Sequence, residues 1–143
     1  VKITAKTIAI ALICAGGVSL AADAVEPTVK ARQELMGVVA MNTKVLGDMA
    51  GGKTAFDAAA AEAAKTALAA AAAEIPAKFE PQATDPATKA KPEIWTNWAD
   101  FTAKGAALGT AATAVDATTL EGVQAGMGAI GETCKSCHSA YRS

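Results

Sequence analysis

The amino-acid sequence predicts an all-α fold, an antiparallel up-down-up-down four-helix bundle in one domain, on three observations. Alanine, the best helix former and a poor strand residue, makes up 38 of the 143 residues. Apolar residues recur at three- and four-residue steps in four stretches of roughly 20 residues each, and no stretch alternates convincingly with period two. Clusters of Gly and Pro separate those stretches, and the length suits a single domain.

The chain begins with an expected address. Lys2 and Lys6 precede an apolar run from Ile8 to Leu20, with small residues after it, the three-part pattern of a secretory signal peptide. The run falls short of the ~20 apolar residues of a membrane span. Cleavage is expected after Ala21, with a cut after Ala24 as the alternative, leaving 22–143 as the mature bundle with no membrane anchor. Removal of 1–21 takes Lys plus Arg from 13 to 11 against 14 acidic residues and leaves a net charge of −3. It also removes Cys14, which the large Ile13 before it disqualifies as a lipidation site. No Lys/Arg block points to nucleic acid or to a polybasic membrane contact.

The first helix is expected over 28–50, with Pro27 before it and Gly51-Gly52 after it. Its larger apolar residues are Val29, Met36, Val39 and Leu46. A second starts near Thr54, with Asp57 in its first turn, and runs through Ala-rich sequence to about Glu74, where Pro76 should end or kink it. Residues 75–92 carry four prolines and read as a crossover loop. A third helix opens at Pro92, carries Ile94, Trp95, Trp98 and Phe101, and frays among 109–114. Thr118-x-x-Glu121 reads as a capping box opening a fourth helix to about Arg142. Six aromatics are few for such a core.

Cys134-Lys135-Ser136-Cys137-His138 is the C-x-x-C-H attachment motif of a c-type haem. Two thiols at i and i+3 lie on one helical turn, where each can form a thioether to a haem vinyl group. The next residue then carries an imidazole beneath the ring. A thioredoxin-like redox pair would need a preceding strand. A zinc site would need a further ligand from Asp or Glu, since His138 is the only histidine. A disulfide across one turn would constrain little.

That single histidine excludes bis-histidine ligation within one chain. Four methionines compete for the other side of the iron. In an antiparallel bundle the start of the first helix lies beside the end of the fourth, so Met36, ~12 Å along, is at the height of His138. Met41 and Met49, at ~20 and ~30 Å, are too far, and Met127 shares a helix with His138 at ~16 Å. Core packing is the other reading of Met36. Arg32, one turn earlier, is placed to pair with a haem propionate or to lie in solvent.

With this motif ending an exported four-helix chain, the sequence resembles the cytochrome c′ family, the class II c-type cytochromes. Ala31-Arg32-Gln33-Glu34-Leu35-Met36, Pro92-Glu93-Ile94-Trp95 and the ending Cys134 to Arg142 carry the resemblance. It implies one haem c held through Cys134 and Cys137, with His138 as the proximal ligand. It implies propionate contacts for Arg32 and Gln33, and a position beside the proximal imidazole for Arg142. The Gln33-x-Leu35-Met36 setting resembles the low-spin branch, in which Met binds iron.

The implied function is a periplasmic one-electron carrier with six-coordinate His138/Met36 haem. The alternative is a five-coordinate, high-spin protein that binds NO or CO. Redox proteins of the periplasm are the implied partners, and some members pair as homodimers through their first two helices. Apart from the haem motif there is no nucleophile–base pair or phosphate loop, so an enzyme of ordinary type is not expected. A covalent haem would also supply the missing bulk, on the order of 10 kcal/mol in apolar burial.

Overall fold

The computed structural model describes residues 23–143. The expected signal segment, with Cys14 and the cut after Ala21, lies outside the described residues. The chain forms α1 (Pro27–Ala50), α2 (Ala58–Phe79), α3 (Glu93–Thr96), α4 (Trp98–Thr113) and α5 (Leu120–Tyr141). Each long helix packs on two others, α1 on α2, α2 on α4, α4 on α5, and α5 back on α1. The expected four-helix bundle is thus closed, with α3 a single turn leading into α4.

Local chemistry sets the helix ends. Pro27 opens α1, where its missing N–H costs nothing, and the Glu26 carboxylate accepts from the Val29 N–H at 2.8 Å. The chain leaves α1 through Gly52, whose φ of +71° suits glycine alone at little cost. Asp57 is the N-cap of α2, accepting from Ala60 N–H at 2.9 Å. The helix therefore begins after Asp57 and not near Thr54.

Three other boundaries differ from the sequence expectation. Pro76 does not end α2, which runs on to Phe79 and shortens the crossover to 80–92. A proline in the last turn forfeits one N–H, and tertiary contacts offset that loss. Phe79 is buried, and Trp95 Nε1 donates to its carbonyl at 2.8 Å. Arg32 donates to the carbonyls of Lys78 and Pro81. Side chains from α1 and α3 thus satisfy the carbonyls that a helix C-terminus leaves open.

The expected third helix is broken at Asn97, whose φ of −119° and ψ of 41° are not helical. The break separates the turn that buries Ile94 from the helix that buries Phe101. The far end of this helix falls within the expected 109–114, since α4 closes at Thr113 with Leu108 and Ala112 buried. The cap of α5 is Thr119, one residue later than expected, accepting from Gly122 N–H at 3.0 Å. Thr118 turns instead to Asp116, to which its N–H and hydroxyl both donate.

The core has two unlike halves. At the end where α1 finishes, small and aliphatic residues such as Leu46, Ala61, Ala64, Leu68, Ala112 and Val123 are buried. At the other end the aromatics gather. Phe101 meets Phe79 at 5.2 Å, Trp98 at 5.5 Å and Tyr141 at 5.4 Å between ring centroids. Five of the six aromatics lie here, with Phe56 apart.

Candidate functional site

The aromatic end is hollow. A cavity of about 340 Å³ opens there, within the size range of small-molecule and cofactor sites. Its walls come from the start of α1, the end of α2, the start of α4 and the end of α5, which is the antiparallel register expected from the sequence. Every site residue named from the sequence lines it: Arg32, Gln33, Met36, Cys134, Cys137, His138 and Arg142.

On the α5 wall Cys134 and Cys137 are half-buried thiols, not joined to each other. Burial is the main force pushing both above the ordinary thiol range. A thioredoxin-like pair needs the opposite shift. His138 follows on the same turn. Although His138 keeps an exposed edge, the burial of the rest of its ring, and then the Arg142 cation, lower the pKa of its imidazole. Arg142 itself closes the helix, its N–H donating to the His138 carbonyl at 3.0 Å. Among the described residues no cluster of three His, Cys, Asp or Glu side chains could hold a metal ion.

Across the cavity, the α1 wall carries Val29, Arg32, Gln33, Met36 and Val39. Arg32 is 3% exposed, a rare burial for a cation. Its Nε donates to Lys78 O at 3.2 Å and its Nη2 to Pro81 O. The guanidinium carbon stands 5.3 Å from the Phe79 ring centroid and 5.1 Å from that of Trp95, in cation–π range. Nη1 is buried with no partner. Desolvation lowers the pKa of this arginine, yet guanidinium stays charged at any neutral pH.

Gln33 is exposed and works as a clasp. Its side-chain oxygen accepts from Ala24 N–H at 3.1 Å and its amide donates to Ala87 O at 3.3 Å. Asp85 ties the same strands of chain, accepting from the N–H groups of Val25, Glu26 and Ala87. Met36 is half-buried against the core. None of the other methionines reaches the cavity. Met41 is 60% exposed, Met49 is buried at the far end of α1, and Met127 lies near Gly47.

Sequence reasoning passed over one network. The Tyr141 hydroxyl donates to Asp100 at 2.5 Å, Asp100 pairs with Lys104 at 3.6 Å, and Lys104 donates to the Ser136 hydroxyl at 3.2 Å. Tyr141 and Lys104 both line the cavity. The i,i+4 spacing of Asp100 and Lys104 beside Phe101 was the available signal, and it pointed only to a helix surface. The crossover loop forms the remaining wall. It is sewn to the chain end by an Ala90–Arg142 bridge, with Lys91 N–H on Tyr141 O at 3.0 Å and Ser143 N–H on Lys89 O at 2.9 Å.

The residues present fit a haem c. Two thiols one turn apart and an adjacent imidazole face a mainly apolar cavity, and a buried guanidinium with an unpartnered N–H suits a carboxylate.

Comparisons with known proteins agree. The family model described as Cytochrome C' matches residues 27–142. The cytochrome c-556 of Agrobacterium fabrum is 37% identical over 144 residues, covering 96% of this chain and 94% of the relative. A cytochrome c' of Cereibacter sphaeroides is 35% identical, with 87% of each chain covered. Among solved structures, cytochrome c' from Rhodobacter Spheriodes has a TM-score of 0.74 at 33% identity, covering 80% of this chain and 94% of that one. A nitric oxide complex of a cytochrome c prime mutant from Alcaligenes xylosoxidans has a TM-score of 0.71 at 30% identity, covering 81% and 94%. One covalently attached haem c goes with this family, and the paired cysteines near the C-terminus stand ready for it. This chain belongs to the cytochrome c′ family.

Proposed function

We propose that the chain is a periplasmic haem c protein that binds a small diatomic gas, NO or CO, on the α1 side of its cavity. Cys134 and Cys137 would hold the haem by thioethers and His138 would ligate its iron. Arg32, through Nη1, with Gln33 would meet its polar edge, and Arg142 would lie beside the ligating imidazole. Once bound, the group would supply a one-electron iron centre able to take a gas ligand.

The observation that carries this reading is the apolar lining around that position. Besides Met36, the helices opposite α5 present Val39, Ile75, Gly105 and Leu108 to the cavity. Such a wall offers a diatomic gas room, and its own side chains offer no hydrogen-bond partner. Variants of the cytochrome c prime from Alcaligenes xylosoxidans, solved with NO and with CO bound, support it. The chain's own part is to carry the two thiols and the imidazole on one helical turn and to present the apolar wall. No substrate-converting step belongs to this reading.

The second reading is a one-electron carrier with His138 and Met36 both on iron, of the low-spin branch. It is favoured by Met36 being the single methionine in the cavity wall. A saturated iron reorganises little between oxidation states, and a thioether ligand raises the potential. The implied homodimer through α1 and α2 would cover Val38 and Met41, which are exposed on α1.

The ferric protein's optical and EPR spectra at neutral pH separate the two. A high-spin spectrum with rapid CO binding to the ferrous form is expected. A low-spin spectrum with a sulfur-to-iron charge-transfer band would sink the gas-binding reading. Met36→Ala is expected to keep the spin state and speed CO entry; a low-spin to high-spin conversion would assign Met36 to iron.

A further inference from the structure

Helix α5 buries Val123, Ile130 and Tyr141, and no side chain between the last two. That interval is about three helical turns. It carries Cys134, Cys137 and His138, whose side chains line the cavity. Until a group is attached there, apolar packing does not fix the height or rotation of this stretch. Its own side-chain bonds are local, Thr133 Oγ1 to the Ile130 carbonyl at 2.8 Å and Ser139 Oγ to the Ser136 carbonyl at 3.1 Å. Two thiols and an imidazole must nevertheless meet one planar group together.

The side-chain bonds that hold this stretch to another helix come from a single turn of α4. Lys104 Nζ donates to Ser136 Oγ at 3.2 Å. Among the described residues, Lys104 is the one side chain of another helix hydrogen-bonded to residues 134–138. Asp100, one turn earlier on α4, accepts from the Tyr141 hydroxyl at 2.5 Å and pairs with Lys104 at 3.6 Å. Asp100 therefore holds α5 at two points, directly at Tyr141 and through Lys104 at Ser136. Cys137 and His138 lie between those points, and Ser136 is inside the attachment motif itself. The Asp100 side chain is 56% exposed, so its ion pair adds little stability. Its effect is geometric, since it aims the Lys104 ammonium at Ser136.

We propose that Asp100 and Lys104 are positioning residues for haem attachment, acting through Tyr141 and Ser136 to keep Cys137 and His138 in register with Cys134. In each attachment a thiol adds across a vinyl group. The sulfur bonds to the inner carbon, the thiol proton ends on the outer carbon, and nothing is oxidised or reduced. Cys134 stands one turn beyond the buried Ile130 and Cys137 two turns beyond it. Cys137 is therefore the thiol that depends on the clamp. The proposal rests on the haem reading and is independent of the sixth ligand.

The test counts thioether bonds and needs neither gas binding nor electron transfer. The full chain is expressed with haem supplied, purified, unfolded in denaturant and alkylated, and free thiols are located by peptide mass spectrometry. Both thiols of the wild type should be blocked. Lys104→Met, Ser136→Ala and Asp100→Ala should each raise the share of chains with a free Cys137 several-fold, while Cys134 stays attached. The Lys104→Met/Ser136→Ala double variant should be no worse than the worse single one, because both changes remove the same bond. Lys104→Arg should restore attachment. Gly122→Ala crowds the Asp116 carbonyl at the other end of α5. It lowers stability without touching the clamp and should leave both thiols blocked.

Full attachment in Lys104→Met and Ser136→Ala, or in Asp100→Ala, would overturn the proposal. So would the same loss in Gly122→Ala, since attachment would then follow stability alone. Ser136→Ala removes a single hydroxyl, so it decides the matter where Lys104→Met fails to accumulate. Wild-type chains with both thiols free would sink the haem reading itself, and this proposal with it.

Discussion

Tyr141 is the only tyrosine in the chain, so its ionisation can be followed without interference from another phenol. Its ring is buried edge-on against Phe101, and its hydroxyl donates to Asp100 at 2.5 Å. Losing the proton would break that bond, leave a phenolate in a desolvated place, and set it against the carboxylate. Those three effects, in that order, push its pKa from 10 up to about 12. The perturbation is Asp100→Asn, which keeps an acceptor and removes the charge.

A spectrophotometric titration of tyrosinate, with Tyr141→Phe as blank, should place the wild-type midpoint near 12. The Asn variant should move back toward 10. The stability consequence has a definite sign. Between 10 and about 12 the unfolded chain has released the phenolic proton and the folded chain still holds it, so stability falls as pH rises through that window. Urea melts of the wild type should weaken across it, and those of Tyr141→Phe should lose this contribution. A wild-type midpoint at 10, or an Asn variant with an unmoved midpoint, would refute the network described at the cavity wall.

Two stability predictions follow from packing. A Cβ at Gly122 would lie 2.4 Å from the Asp116 carbonyl oxygen, whereas one at Gly128 meets nothing within 4 Å. In urea melts Gly128→Ala should therefore stabilise by about 0.5–1 kcal/mol, the helix-propensity gain, while Gly122→Ala should destabilise by about 1–2 kcal/mol. Trp95→Phe removes the donor to the Phe79 carbonyl and should lower stability by about 1–2 kcal/mol by the same assay.

Much of the site was legible because its chemistry is local in sequence. Cys134, Cys137 and His138 are carried on one helical turn, and a turn has the same geometry wherever it is placed. Met36 was legible through register, since rise per residue and an antiparallel order fix which residues share a height. Arg32 was half legible. Its place on the cavity wall followed from the turn it shares with Met36, but its seat between Phe79 and Trp95 did not. That seat exists because Pro76 fails to stop α2, so that the helix-end carbonyls of Lys78 and Phe79 stand where Arg32 and Trp95 can reach them.

Helix ends were the weakest reading, and the reason is competition between near-equal local choices. Thr118 and Thr119 are both good caps, and Asp116 decides between them by engaging Thr118. Thr54 and Asp57 compete in the same way before α2, and the carboxylate bond to Ala60 decides.

By itself the sequence determined the helical class, the four-stretch order and the haem-attachment turn, because helix propensity, apolar period and i,i+3 spacing act over a few residues. Only the tertiary structure decided what surrounds that turn. The concentration of aromatics at one end, the Tyr141–Asp100–Lys104 network and the pairing of the crossover with the end of α5 join residues up to 54 positions apart, Lys89 to Ser143. Chain folding, not local preference, brings such residues together.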